Sequence, residues 1–401
     1  MAAKVGQASG LPMATGTVAP QTVARQAKHV RLREAHAGKM LVPRLKPPPP
    51  ATAFLNSELS ISSAIAFQLP GSSILSALNS AGKACIMANV GIEERIKQKA
   101  LELGFDAAGI TDASPVSQAH ADRFSRWLGR GFAAEMSYMR RSVDKRLDPG
   151  ALLEGAESVL CVAMSYKRPD PAPFCKAGFG RVAVYACYQD YHAFIRDLLR
   201  KLADFIRLAC GGGRFKLCVD SVPIAERALA ERAGMGFIGT NHMLINPDLG
   251  PEVLLAEIVT DVKLRPDPPA AGGCGGCRKC VEACPTGALR ADGLFDAGKC
   301  ISYLTIEYGG EIPAALAAGI GSRLFGCEEC VRVCPLAEKK PACSNERFGY
   351  WAGRAVIDLR RVLLMDRKDF KSLFGGSPVE RSGLSRMKRN ARVCLANLKY
   401  A

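Results

Sequence analysis

No apolar run in this 401-residue chain approaches the length that spans a bilayer as a helix, so a helical membrane anchor is excluded and no membrane partner is expected. There is no P-loop, the Gly-rich turn that cradles nucleotide phosphates. One GxGxxG spelling occurs, Gly234 to Gly239, but it follows a helical stretch rather than a strand, which excludes a Rossmann dinucleotide site. Acidic residues are scarce at both ends. Residues 1–86 hold nine Lys/Arg against two acids, and Arg381 to Ala401 hold six Lys/Arg and no acid, so most of the net charge of +16 sits at the two ends. A basic C-terminal stretch suits a polyanion such as RNA, or is a solvated tail. Apart from two cysteine groups the chain has no internal repeat.

Cysteine, by contrast, is abundant. Eight of the 16 cysteines fall between Cys274 and Cys334, mostly in tight Cys-x-x-Cys groups. The others (Cys85, Cys161, Cys175, Cys187, Cys210, Cys218, Cys343, Cys394) are scattered singly and read as small buried hydrophobes. Disulfide scaffolds are small and evenly studded with cysteine; this chain is neither, so a reducing, cytoplasmic location is expected.

The chain divides by composition. Residues 1–90 are rich in Ala, Ser, Pro and Gly and lack sustained periodicity, which reads as disorder or as an extension before a true start at Met87. From Ile92 to Leu103 apolar residues recur at helical spacing, and Gly104 stops the pattern. Strands are expected at Phe105–Thr111, Ser158–Ser165, Arg181–Tyr185 and Phe215–Val219, with helices at His192–Leu208 and Ile224–Ala233. The alternation predicts an α/β or α+β domain over 91–265. Pro266 to Gly273 reads as a linker into a cysteine-rich domain, 266–340, and 341–401 as a basic helical segment.

The first cysteine group is Cys274, Cys277, Cys280 and Cys284 followed by Pro285; the second is Cys327, Cys330 and Cys334 followed by Pro335, with Cys300 between. Two-residue gaps let thiolates converge on one cubane. In two-cluster ferredoxins the cysteine before proline reaches the other cluster. That rule assigns Cys274, Cys277, Cys280 and Cys334 to one [4Fe–4S] cluster. Cys284, Cys327 and Cys330 go to a second, with Cys300 as its fourth ligand. Structural zinc would not need this interleaving. Clusters move single electrons, so the chemistry lies elsewhere.

In the first domain, Asp220 follows an apolar strand, where side chains often face a pocket; an Asp before Ser-x-Pro is also an ordinary turn or cap residue. Here the sequence resembles a known family. The run from Val219 through Glu226 and Arg227 to Pro247, the cassette, and the stretch from Lys299 to Glu307 are similar to epoxyqueuosine reductases. So are Tyr185 with Asp190-Tyr-His192, Arg146 to Pro149, and Phe374 to Ala391. The resemblance spans about residues 91–396. It implies a cobalamin enzyme, distantly related to reductive dehalogenases, that removes the epoxide oxygen of epoxyqueuosine at the wobble position of tRNA. A low-potential donor would feed the clusters, which would pass electrons to cobalamin in the first domain. The family's proton donor falls on Asp220 and would need a raised pKa to act as an acid at neutral pH. Tyr185, Asp190, Arg227, Asn241 and His242 become candidate cofactor contacts, and a monomer is expected.

The sequence also departs from that family. Thr240 replaces a usual Lys, His242 a small polar residue, and Tyr188-Gln189 a Gly with a basic residue. His192 lacks the downstream Gly of cobalamin motifs with a histidine ligand, so it is not expected to bind cobalt. The chain stops soon after Asn390, where relatives continue into a helical repeat. Arg381, Arg386, Lys388, Arg389 and Arg392 remain as candidate phosphate contacts. Two other readings compete: a corrinoid reductase of a small molecule, and a plain ferredoxin-type carrier, against which the large first domain stands.

Overall fold

The structure is a computed structural model that describes residues 91–168, 176–338 and 340–398. The N-terminal extension expected at 1–90 lies outside the described residues. Those described belong to one compact unit, Pro70–Ala401.

Helix α1 (Ile92–Leu103) buries Ile96 and Ala100, four residues apart on one face. Gly104 ends it with φ 106°, a left-handed cap that a side chain would strain. The chain then enters a sheet of β1 (Ala107–Asp112), β2 (Ser158–Ser165), β5 (Val253–Thr260) and β4 (Phe215–Cys218), in that order. Every pairing in it is antiparallel. The domain is therefore α+β, not the parallel α/β arrangement that strand–helix alternation also allows. Strand β2, central and apolar between its terminal serines, is buried along its whole length.

Each face of the sheet has its own helical cover. On one, α1 packs beside α2 (Tyr191–Ala209), whose Ile195, Leu198, Leu199, Leu202 and Ile206 recur at helical spacing and are buried. On the other lies α3 (Glu226–Arg232), with Leu229 and Ala230 against Val159, Cys161, Cys218 and Val259. Gly109 permits that approach: a Cβ there would lie 2.2 Å from the carbonyl oxygen of Ala233. The segment expected as a free linker is pinned to β1. Asp267 accepts the N–H of Ile110 at 2.8 Å and the ammonium of Lys97 at 2.6 Å.

A second sheet interlocks three stretches of chain. Its central strand β3 (Phe179–Val182) pairs in parallel with β6 (Arg323–Phe325) and antiparallel with β7 (Val356–Asp358). Beside it runs the C-terminal helix α4 (Gly383–Asn397), which buries Met387, Ala391 and Cys394. Arg389, 4% exposed, donates to the carbonyls of Leu304, Tyr308 and Gly310. Asn390 donates to those of Thr305 and Leu324, both at 2.9 Å. Arg386 reaches the carbonyl of Ile306. The expectation that all five basic residues of this stretch are free for phosphate is thus corrected: Arg386 and Arg389 are spent on backbone carbonyls.

Candidate active site

Strand β4 delivers Val219 and then Asp220, which turns with φ 50°, a backbone conformation uncommon outside glycine. The turn is held from behind, where Glu226 Oε1 accepts the Asp220 N–H at 2.9 Å. In front, Asp220 Oδ2 accepts from the Tyr191 hydroxyl at 2.8 Å and meets His192 Nε2 at 2.7 Å. The other ring nitrogen, Nδ1, lies 2.6 Å from Asp190 Oδ1. Asp190 is also the N-cap of α2, accepting the His192 N–H, so one carboxylate starts the helix and orients the imidazole. Arg381 brings its guanidinium over His192 and reaches the Ser221 hydroxyl. The Asp190 N–H donates to the Gly376 carbonyl, which ties this corner to the same C-terminal stretch.

The electrostatics of this chain run against the elevated Asp220 expected of an acid. Burial pulls Asp220 up, but hydrogen bonds from His192 and Tyr191, with the charges of His192 and Arg381, outweigh it and hold the carboxyl below its ordinary range. Burial pulls His192 down, yet its bonds to Asp190 and Asp220 raise it above the usual imidazole value. Asp190 is lowered chiefly by the His192 hydrogen bond. These directions favour a proton on His192 over one on either carboxylate. Asp220 remains half exposed, 53%.

The other expected contacts take distinct places. Tyr185 packs edge-on against Tyr166 and Tyr191, with ring centroids 6.1 and 6.5 Å away, extending an aromatic cluster from Tyr191. Arg227 donates to the His242 carbonyl. His242 has φ 61°, and burial, then Arg227 and Arg123, push its imidazole down to about 4, so it is neutral. Asn241 is buried; its side chain accepts from the Met243 N–H at 3.1 Å and donates to the Cys330 carbonyl at 3.2 Å. The Thr240 N–H lies 3.3 Å from Cys274 Sγ. One short loop therefore touches both cysteine groups, and Thr240 does so through its backbone, whatever its side chain.

The cysteines gather as two sets. Cys334, distant in sequence, lies in the field of Cys274 and Cys277, as does Cys280. Cys300 faces Cys284, Cys327 faces Cys300, and Cys330 is ringed by Cys327, Cys300, Cys280 and Cys284. Burial pushes the thiols of Cys280, Cys300, Cys327, Cys330 and Cys334 up, so a cationic centre is needed to hold them as thiolates. Among the described residues no three His, Cys, Asp or Glu side chains converge closely enough for a single metal ion.

Sequence reasoning missed His192 and Tyr191 as partners of Asp220, and placed Arg381 only in a tail. The available signal was Asp190-Tyr-His192 at a helix start, where a cap fixes the direction of the side chains that follow.

Comparison with known proteins agrees with this geometry. Residues 273–337 match the 4Fe-4S double cluster binding domain, so the cassette is a two-cluster module. Residues 146–221 match the family described as Epoxyqueuosine reductase QueG, DUF1730. The epoxyqueuosine reductase of Salmonella typhimurium is 36% identical over 314 residues, 77% of this chain and 81% of that one. That of Xanthomonas campestris is 38% identical over 308 residues, 76% and 86% of the two chains. A crystal structure of an epoxyqueuosine reductase with an epoxyqueuosine-modified tRNA-Tyr stem loop superposes with a TM-score of 0.72 at 33% identity, covering 77% of this chain and 82% of that one. A Bacillus subtilis epoxyqueuosine reductase, with its catalytic aspartate loop swung out of the active site, gives 0.71 at 33% identity over the same shares. With a double-cluster cassette, the family's own segment reaching through Asp220, and relatives matched over most of their length, the chain belongs to the epoxyqueuosine reductase family.

Proposed function

We propose that this chain reduces epoxyqueuosine to queuosine in tRNA, in the cytoplasm, as a monomer fed by a low-potential one-electron donor. The observation that carries the reading is the Asp190–His192–Asp220 chain, whose last carboxylate is half exposed, built in the same unit as a two-cluster module. Removing an epoxide oxygen as water consumes two electrons and two protons. The cluster thiolates, Cys274, Cys277, Cys280 and Cys334 on one side and Cys284, Cys300, Cys327 and Cys330 on the other, would carry the electrons singly.

The residues around the cleft fit a corrin. Arg146 Nε is a buried donor without a hydrogen-bond partner, suited to an acceptor-rich group. Tyr185 and Tyr191 offer aromatic faces. Both nitrogens of His192 are engaged, so it is not free to ligate cobalt. Arg227 would orient the substrate or an anionic group beside His242. Cobalamin, when bound, would supply the reduced cobalt that opens the epoxide. This chain's own part is the proton. Asp190 fixes the imidazole, His192 stores a proton at Nε2, and Asp220 Oδ2 passes it to the departing oxygen. An ionised Asp220 is compatible with that role because its proton arrives from His192 during the reaction. The Bacillus subtilis relative with a movable catalytic aspartate loop supports placing the role on a turn residue.

The test is nucleoside mass spectrometry on epoxyqueuosine-containing tRNA, incubated anaerobically with the full chain, cobalamin and a strong reductant. Conversion to queuosine is expected. No conversion, with both clusters and corrinoid measured in the sample, would overturn the reading.

A further inference from the structure

In sequence between α3 and the cysteine cassette lies a small hairpin, Phe237–Ile238 paired antiparallel with Leu244–Ile245. Its tip closes on itself twice: the Gly239 N–H donates to the Met243 carbonyl and the His242 N–H to the Gly239 carbonyl, both at 2.9 Å. His242 completes the reversal with φ 61°, a conformation that a side chain disfavours and that its surroundings must support. Asn241 gives that support. Its side chain, 6% exposed, folds back over the tip, where Oδ1 accepts the Met243 N–H at 3.1 Å. Asparagine makes this kind of turn with the amide two residues on. Gly239 leaves room for it, since a Cβ there would lie 2.9 Å from Asn241 Oδ1.

The folded tip meets both cysteine sets. The Thr240 N–H donates to Cys274 Sγ, in the first set, at 3.3 Å. Asn241 Nδ2 donates to the carbonyl of Cys330, in the second set, at 3.2 Å. On the other side Arg227 of α3 donates to the His242 carbonyl. One short tip is thus tied to both sets and to the helix that starts behind the Asp220 turn.

We infer that Asn241 is a positioning residue for electron transfer: by shaping the tip it keeps the Thr240 N–H on the Cys274 thiolate, and so sets the potential of the first cluster relative to the second. Reduction adds negative charge to a cluster and its sulfurs. An N–H aimed at a ligand sulfur stabilises that added charge more than it stabilises the oxidised state, which raises the potential. The bond from Asn241 to the second set ends on a backbone carbonyl, not on sulfur, so the effect is unequal. With the tip in place the first cluster holds an electron more readily than it would alone. The assignment rests on the two-cluster module and on none of the substrate chemistry proposed above.

The experiment uses the full chain with both clusters loaded, as wild type, Asn241→Ala and Asn241→Ser, matched for iron and sulfide. Each is titrated anaerobically with dithionite in the presence of redox mediators and followed by EPR. The signal of the first cluster is the one that Cys274→Ser perturbs. Asn241→Ala should lower the midpoint of the first cluster and leave that of the second in place. The sharing of the first electron should then move toward the second cluster on the order of tenfold. Asn241→Ser, whose hydroxyl can accept the same amide more weakly, should fall between wild type and Asn241→Ala. Wild type labelled with nitrogen-15 on threonine should show an amide nitrogen coupling at the reduced first cluster by ENDOR, lost in Asn241→Ala. Unchanged midpoints in Asn241→Ala would overturn the proposal, as would an equal fall of both, the sign of a generally loosened cassette. Absence of the threonine coupling in wild type would overturn it even where no variant keeps its iron. The potentials are read without substrate, so a protein that makes no queuosine leaves this test intact.

Discussion

The cysteine cassette and the Asp220 cleft solve the problem of holding charge inside a protein in different ways. In the cassette eight like groups are crowded together, and burial and then neighbouring thiols push Cys327 and Cys330 toward the neutral form. Only an added cationic centre balances them. In the cleft the balance is internal. Asp190, His192, Asp220 and Arg381 come from two separate segments and one helix start, alternate in sign, and hold each other's protonation. The cassette should therefore be sensitive to its metal and indifferent to mild pH changes, the cleft the reverse.

That contrast is sharpest where it should fail most completely. Cys330→Ala removes a thiol at the centre of the second set. Iron and sulfide content should fall by about half and turnover should be abolished, read by metal analysis and single-turnover assay. Full iron with normal turnover would place the clusters elsewhere.

A smaller effect is expected in the cleft. Asp190→Asn should leave iron unchanged and lower kcat on the order of 10- to 100-fold. The sign with pH follows from the raised imidazole: the stored proton is present below the unperturbed value of 6.5 and is lost as pH rises through the folded one. Without Asp190 that alkaline limb should move to lower pH in the kcat profile.

Arg389→Ala tests the seam between the cassette and α4. Three carbonyls lose a charged donor in a buried place, which should cost about 3 kcal/mol of stability, read in a denaturant melt. The iron content of the folded fraction should not change. Smaller still, Thr240→Ala should alter turnover by less than about twofold, since the contact to Cys274 is made by a backbone N–H that survives the substitution.

The two regions also differ in how far the residues announced them. The cassette was readable because its cysteines recur at two- and three-residue gaps, each group closing on a proline. Helix α1 and strand β2 were readable for the same reason, since local period decides them. Strand β5 was not: Glu257 interrupts its apolar run, and only the pairing of Cys161 and Cys218 on either side shows that position to be mid-sheet. Nor was the lowered Asp220. It depends on His192 and Arg381 approaching from 28 and 161 residues away in sequence, one before it and one after. Asn241 was expected at the cofactor; in the fold its side chain donates to the Cys330 carbonyl, and the neighbouring Thr240 amide lies against Cys274.

The central claim is that Asp220 delivers a proton to the departing oxygen while the clusters supply electrons independently. It is tested most directly by comparing wild type and Asp220→Ala, with matched iron and corrinoid content, for conversion of epoxyqueuosine to queuosine in tRNA by nucleoside mass spectrometry. Rapid conversion by wild type and a loss on the order of 10²- to 10⁴-fold in the variant is the expected result. Equal conversion by the two proteins would contradict it.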